Sequence, residues 1–236
     1  METTFGMDRK NKIQRNSIMI MKRKKVGLCL AFTGTNYGML LQAYATQRVV
    51  ENLGYDTEII HYISKGHRRI KFDWGLLILL PRILIKRVLK KNKKSNLELD
   101  NVHKKNIEDR KSVADRFRSE RMRNIKTVIG ADNLFKAGKE FDAVLVGSDQ
   151  VWLPGALFGL YYSLNFVPDN IPKISYATSL GVSTYPWYSK SNASKVWKRI
   201  EHLSVREEQG KKIIQSICGN IPVEVVVDPT YLLLKE

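Results

Sequence analysis

Cysteine is scarce: two in 236 residues, Cys29 inside an apolar run and Cys218 beside a Gly-Asn turn. That pair excludes a disulfide scaffold and a cysteine-based metal knot, and both thiols read as ordinary buried groups of a reducing compartment. Histidine is almost as rare. Of the four, His67 and His103 lie in a basic stretch, His61 ends a strand-like run and His202 precedes another. They form no catalytic triad, and no cluster has metal-ligand spacing, so no metal is expected. A Walker motif and a dinucleotide-binding glycine fingerprint are both missing. Long apolar runs are missing too: residues 74–80 precede Pro81 and Arg82, whereas a helix across a bilayer needs about 20 residues. Residues 1–21 lack the apolar core and small-residue cleavage site of a secretory signal.

Acidic residues are the next shortage, 23 against 40 Lys and Arg, for a formal charge of +17. Residues 1–25 carry eight basic and two acidic side chains, residues 65–126 carry twenty and seven, and the remainder carries twelve and fourteen. The excess therefore belongs to a lead-in and a central insertion, while the compact parts are near neutral. No RNP-like aromatic pair, finger spacing or homeodomain-like helix accompanies it, so no specific nucleic acid is expected. Residues 72–94 place a dense apolar stretch beside six Lys and Arg between Lys86 and Lys94. This pattern suits peripheral contact with an anionic membrane, or a helix packed on its own domain with a solvated basic face.

With 43% apolar residues the chain can bury a substantial core. Short apolar runs at 26–32, 57–62, 141–147, 174–178, 203–206 and 223–228 read as strands. Residues 39–53 carry helical periodicity closed by Gly54, and 207–217 form a helix stopped by Cys218-Gly219-Asn220. Phe117 and Met122 are apolar anchors in an otherwise polar, basic stretch that reads as helical in pieces. Alternation of this kind predicts an α/β fold, a Rossmann-like open parallel sheet with helices on both faces. Residues 1–24 read as a basic lead-in, 25–228 as the domain with the basic helical segment 65–126 inside it, and 229–236 as the start of a crossing to a further domain.

In open parallel sheets ligands bind beyond the carboxyl ends of the strands, so the strand-to-helix turns are where chemistry is expected. The first, residues 33–38, offers Asn36, Tyr37, Gly38 and, one turn into the helix, Gln42: either a ligand contact or an Asn-capped helix. The second sets Ser148, Asp149 and Gln150 in succession beyond a strand, followed by Trp152. Asp149 can orient a sugar hydroxyl or take its proton, and Trp152 can stack on a sugar ring. Alternatively Ser148 or Asp149 caps a helix and Trp152 is core. A third, hydroxyl-rich turn closes 174–181. The fourth carries Arg206, whose donor fork suits a phosphate or carboxylate, or a salt bridge with Glu207 or Glu208.

Asn36-Tyr-Gly-Met-Leu-Leu-Gln-Ala-Tyr-Ala-Thr-Gln47 and Gly147-Ser-Asp-Gln-Val-Trp152 resemble two signatures of the polysaccharide pyruvyl transferase family. Residues 174–181, 204–210 and 227–233 are similar to its later landmarks, in the same order. The resemblance covers residues 26–234 and implies the N-terminal half of a two-domain, glycosyltransferase-B-like architecture. It implies transfer of a pyruvyl group from phosphoenolpyruvate to hydroxyls of a bacterial surface polysaccharide or its precursor. Asn36, Tyr37, Gly38, Gln42, Ser148, Asp149, Gln150 and Trp152 would line the acceptor side, with Arg206 near the domain junction and no tightly bound cofactor. Partners implied are a saccharide or lipid-linked saccharide, met in the cytoplasm at the inner membrane face, and a separate C-terminal half carrying donor-binding and catalytic groups. The other expectations are a nucleotide-sugar glycosyltransferase-like enzyme and a non-catalytic carbohydrate-binding remnant of a truncated gene.

Overall fold

The protein is described through a computed structural model, whose described residues are 23–65 and 101–233. Five parallel strands form one sheet in the order β3-β2-β1-β4-β5. They are β1 (Lys25–Cys29), β2 (Asp56–Ile63), β3 (Ile125–Ile129), β4 (Ala143–Val146) and β5 (Lys173–Ser175). β1 sits between β2 and β4, so the chain winds outward one way to β3 and then returns to wind the other way. The α/β, Rossmann-like character expected of the sequence is what the chain adopts.

Both faces of the sheet are covered, and the apolar side chains divide accordingly. Val26, Leu28 and Leu30 of the β1 run, with Ile59 and Leu145, join one core, which includes Ala43 and Val50 of α1 (Tyr37–Asn52). Cys29, Ile60, Val144 and Val146 join the other core, together with Leu134, Trp152 and Trp197. Adjacent residues in the strands thus point to opposite layers, which is why the runs read as continuously apolar. Close packing also needs Gly27, where an added Cβ would stand 2.8 Å from the Phe141 ring.

α1 begins where Asn36 Oδ1 accepts the Gly38 N–H at 2.9 Å. The buried amide of Gln47 ties the helix down, donating to Thr57 Oγ1 and the Arg123 carbonyl and accepting from the Arg123 N–H. Gly54 follows with φ +91°, as a glycine stop requires. α2 (Asn101–Arg121) is a single helix. Its Phe117 meets Tyr44 edge-on at 5.8 Å, and Met122, just past its end, is buried. β3 starts at Ile125, inside the stretch read as basic and helical. It is an edge strand with only Val128 buried, so it lacks the apolar density of its neighbours.

Among the described residues the remaining α-helices are α3 (Ala131–Ala137), α4 (Trp187–Trp197) and α5 (Glu208–Cys218). Beyond β5 the sheet continues in fragments: β6 (Ser204–Val205) pairs with β7 (Glu224–Val225), and single bridges join Ile174 to His202 and Thr178 to Val205. A 3-10 turn, Pro229–Leu232, then packs against α1. Among the described residues no helix is long and apolar enough to cross a membrane. The apolar-basic run 72–94 lies outside them, as do residues 1–22 and 234–236.

Candidate functional site

The winding direction reverses between β1 and β4, and the loops leaving their carboxyl ends are the Asn36 and Ser148-Asp149 turns. A crevice opens at such a switch point because the two connections diverge to opposite faces. Here it is a cleft of about 490 Å³. Asn36, Gly38 and Gln42 line one side and Asp149 and Arg206 the other, with Asp228, Thr230 and Tyr231 closing it.

Hydrogen bonds at the strand ends bring Arg206 to this place. The Ser179 N–H donates to the Asp149 carbonyl at 2.9 Å, and the Arg206 N–H donates to the Thr178 carbonyl at 3.1 Å. Ser204 reinforces the register: its hydroxyl donates to the Ser175 carbonyl and accepts from the Ala177 N–H. Gly147 lets the β4 turn descend, since a Cβ there would lie 2.3 Å from Leu30 Cδ2. Asp149 takes φ +100° and Ala177 φ +51°. Backbone of this kind on non-glycine residues costs about 1–3 kcal/mol each and persists where the surroundings over-determine it.

Asp228 is the hub of the polar network. Oδ2 accepts from Ser148 Oγ at 2.8 Å and Arg206 Nη1 at 3.2 Å, and Oδ1 accepts from the Thr230 N–H at 3.0 Å and Thr230 Oγ1 at 2.8 Å. Burial alone raises the pKa of this carboxyl, but the four donors outweigh it and hold the pKa below the usual carboxylate value. Arg206 also donates through Nε to Glu207 Oε1 at 3.1 Å. Burial lowers its pKa and these two carboxylates raise it further, leaving it above the ordinary value. The salt bridge with Glu207 is therefore realised, and Asp228 is a second counter-ion.

The sequence-derived residues do not share one role. Asn36, Gly38, Gln42, Asp149 and Arg206 line the cleft. Tyr37, between two lining residues, is 52% exposed. Ser148 is fully buried and works through Asp228, while Gln150 is exposed and gives its backbone N–H to Asp149 Oδ1 at 2.7 Å. Trp152 corrects the stacking expectation. Its indole is wholly buried, packs 6.1 Å from Trp197 and donates Nε1–H to the Tyr162 carbonyl, because β4 leads it into the core rather than the cleft. Sequence reasoning missed Asp228 and Tyr231 as lining groups. The signal was in Asp228-Pro229-Thr230, where a carboxylate precedes a proline-started turn and so acts as its cap.

Gln42 is buried, and its Nε2 donates to the carbonyls of Ala31 and Met39, both at 2.8 Å. Two acceptors at one terminal atom fix the amide orientation and leave Oε1 buried without a hydrogen-bond partner. The Asp149 and Asp228 carboxylates and one guanidinium already engaged by two acids are the charged groups of the cleft, beside the apolar Met39 and Leu41, while the buried Oε1 of Gln42 does not reach its surface. Such a surface suits hydroxyl donors and repels a free phosphate. Among the described residues no group of His, Cys, Asp and Glu is placed to hold a metal.

No curated protein sequence and no solved structure gives a significant match to the chain. The profile of the polysaccharide pyruvyl transferase family matches residues 36–236, a span that takes in every group lining the cleft. On that match the chain belongs to the polysaccharide pyruvyl transferase family.

Proposed function

We propose that the chain takes part in transferring a pyruvyl group from phosphoenolpyruvate to two hydroxyls of a sugar, and that its cleft holds the sugar. The charge balance of the cleft carries this reading: Asp149 offers a carboxylate at its wall, and Arg206 is neutralised by Asp228 and Glu207, so no free cation is left for an anionic ligand. In the overall reaction the two hydroxyls give up their protons, one to the methylene carbon of the donor and one to the departing phosphate, while C2 loses its bond to the phosphate oxygen and gains two C–O bonds to the sugar. Asp149 would orient a hydroxyl and receive its proton. The loss of phosphate needs fixed positive or proton-donating groups, and these would come from a second α/β half in the same or another polypeptide. The contribution of this chain is placement of the diol.

A surface-polysaccharide precursor carried on lipid would set the protein at the cytoplasmic face of the membrane. The run 72–94 would then meet anionic headgroups. The binding test is titration of the chain, followed by its amide signals, with neutral sugars, phosphoenolpyruvate and a nucleotide sugar. Neutral diols should shift Gly38, Asp149 and Arg206 together, while phosphoenolpyruvate leaves them unmoved. Cleft shifts from the nucleotide sugar alone would refute the reading.

A further inference from the structure

A second cavity, of about 390 Å³, opens at the carboxyl ends of β1 and β2. It lies across the first turn from the cleft: Phe32 and Thr33 line this cavity, and Asn36 and Gly38 line the other. Its walls carry the rings of Phe32, His61, Tyr62, Phe158, Tyr161 and Tyr162 among aliphatic side chains such as Leu30 and Leu160. Thr33 and Ser64 add hydroxyls, and no carboxylate, lysine or arginine is among the described residues that line it.

These groups select a ligand class. A phosphate or carboxylate entering here would lose water without gaining a counter-charge, at a cost of several kcal/mol. A ring with apolar C–H faces and polar edges would meet aromatic faces and hydroxyls at once. The volume, toward the low end of the ~300–1,000 Å³ typical of ligand pockets, fits a single ring better than a long chain. The walls are also fixed before binding. Phe32 meets His61 at 5.5 Å, Tyr62 stacks on Tyr161 at 6.0 Å, and the Tyr161 hydroxyl donates to the Ile60 carbonyl. Preorganisation of this sort lowers the ordering cost of binding.

We infer that this cavity is a subsite for an uncharged pyranose ring, so that the acceptor is at least a disaccharide reaching over the turn between cavity and cleft. The inference rests on the acceptor-binding reading of the cleft and adds the length and neutral character of the substrate.

Gly155 provides the test. It lines the cavity with an ordinary φ of −76°, and an added Cβ would meet nothing within 4 Å. Gly155→Phe is therefore a filling variant whose Cβ meets no clash, and Ser64→Phe, at an exposed lining residue, is an independent one. The full chain, labelled at histidine and backbone nitrogen, is titrated with glucose, galactose and N-acetylglucosamine and with cellobiose, lactose and chitobiose. At least one disaccharide should move the His61 ring signals and bind tenfold or more tighter than its monosaccharide. Both filling variants should abolish the His61 shift and bring that affinity to the monosaccharide level, while the Gly38 and Asp149 shifts persist. The subsite is overturned if disaccharides move Gly38 and Asp149 but never His61, or if the filling variants change no affinity. A His61 response with an unresponsive cleft would support the sugar subsite and refute the acceptor reading of the cleft. Silence at both places refutes both.

Discussion

Replacing Asp228 by asparagine keeps the shape of the hub and removes half of its capacity. Each carboxylate oxygen now takes two donors: Ser148 and Arg206 at Oδ2, the Thr230 N–H and hydroxyl at Oδ1. An amide offers one oxygen, so in either orientation one pair faces an NH2 group; the hydroxyl of that pair can turn to accept, but the Arg206 Nη1–H or Thr230 N–H beside it cannot. Hydrogen bonds to a charged acceptor contribute about 1.5–3 kcal/mol each. The Arg206 contact lies nearer the lower bound, because its side chain is 33% exposed and solvent screens the pair. Asp228→Asn should therefore destabilise the protein by about 2–4 kcal/mol, measured by urea unfolding at pH 7. The depressed pKa of Asp228 gives a second signature. Its stabilisation is fully present above the unfolded carboxyl pKa and is lost as pH falls through the lower folded value. The gap between wild type and variant should be constant from about pH 7 to 5 and narrow below about pH 4. A loss under about 0.5 kcal/mol, or a gap that does not narrow in acid, would refute the assignment of Asp228 as the hub.

Other substitutions test the neighbouring elements. Asp149→Gly relieves a φ of +100° and should raise stability by up to about 1 kcal/mol while weakening saccharide binding; lower stability would contradict the strain assigned there. Trp152→Ala should cost about 3–5 kcal/mol in urea unfolding, whereas a near-neutral result would reopen a surface role for the indole. Gly181→Ala places a Cβ 3.0 Å from Leu153 Cδ2 at φ +62° and should cost about 1–3 kcal/mol. Gln42→Met removes the two hydrogen bonds that hold the Ala31 and Met39 carbonyls and should cost about 1–3 kcal/mol in urea unfolding. A neutral result would contradict the role of Gln42 in tying α1 to the end of the β1 run.

The central strands were legible because burial on both faces leaves a continuous apolar run, as at residues 26–32 and 141–147. β3 escaped notice because an edge strand with one buried residue keeps a polar sequence, Ile-Lys-Thr-Val-Ile. α4 was hidden by a first turn of Trp187 and Tyr188 after Pro186 and by serine-rich interior positions, which carry little helical periodicity. The turns of the cleft were readable from the rule that loops beyond the strand ends carry ligands. The role of Asp228 was not, because it depends on contacts 80 residues away at Ser148 and 22 away at Arg206. Trp152 shows the converse: aromatic character in a motif does not reveal which way the backbone turns it.

The central claim is that the Asn36 and Asp149 turns form one sugar-binding surface. Chemical-shift mapping of the chain with neutral mono- and disaccharides tests it most directly. The account predicts that Gly38, Asp149 and the Arg206 Nε–H respond together with a single dissociation constant. Responses confined to one turn, or separate constants for the two, would contradict it.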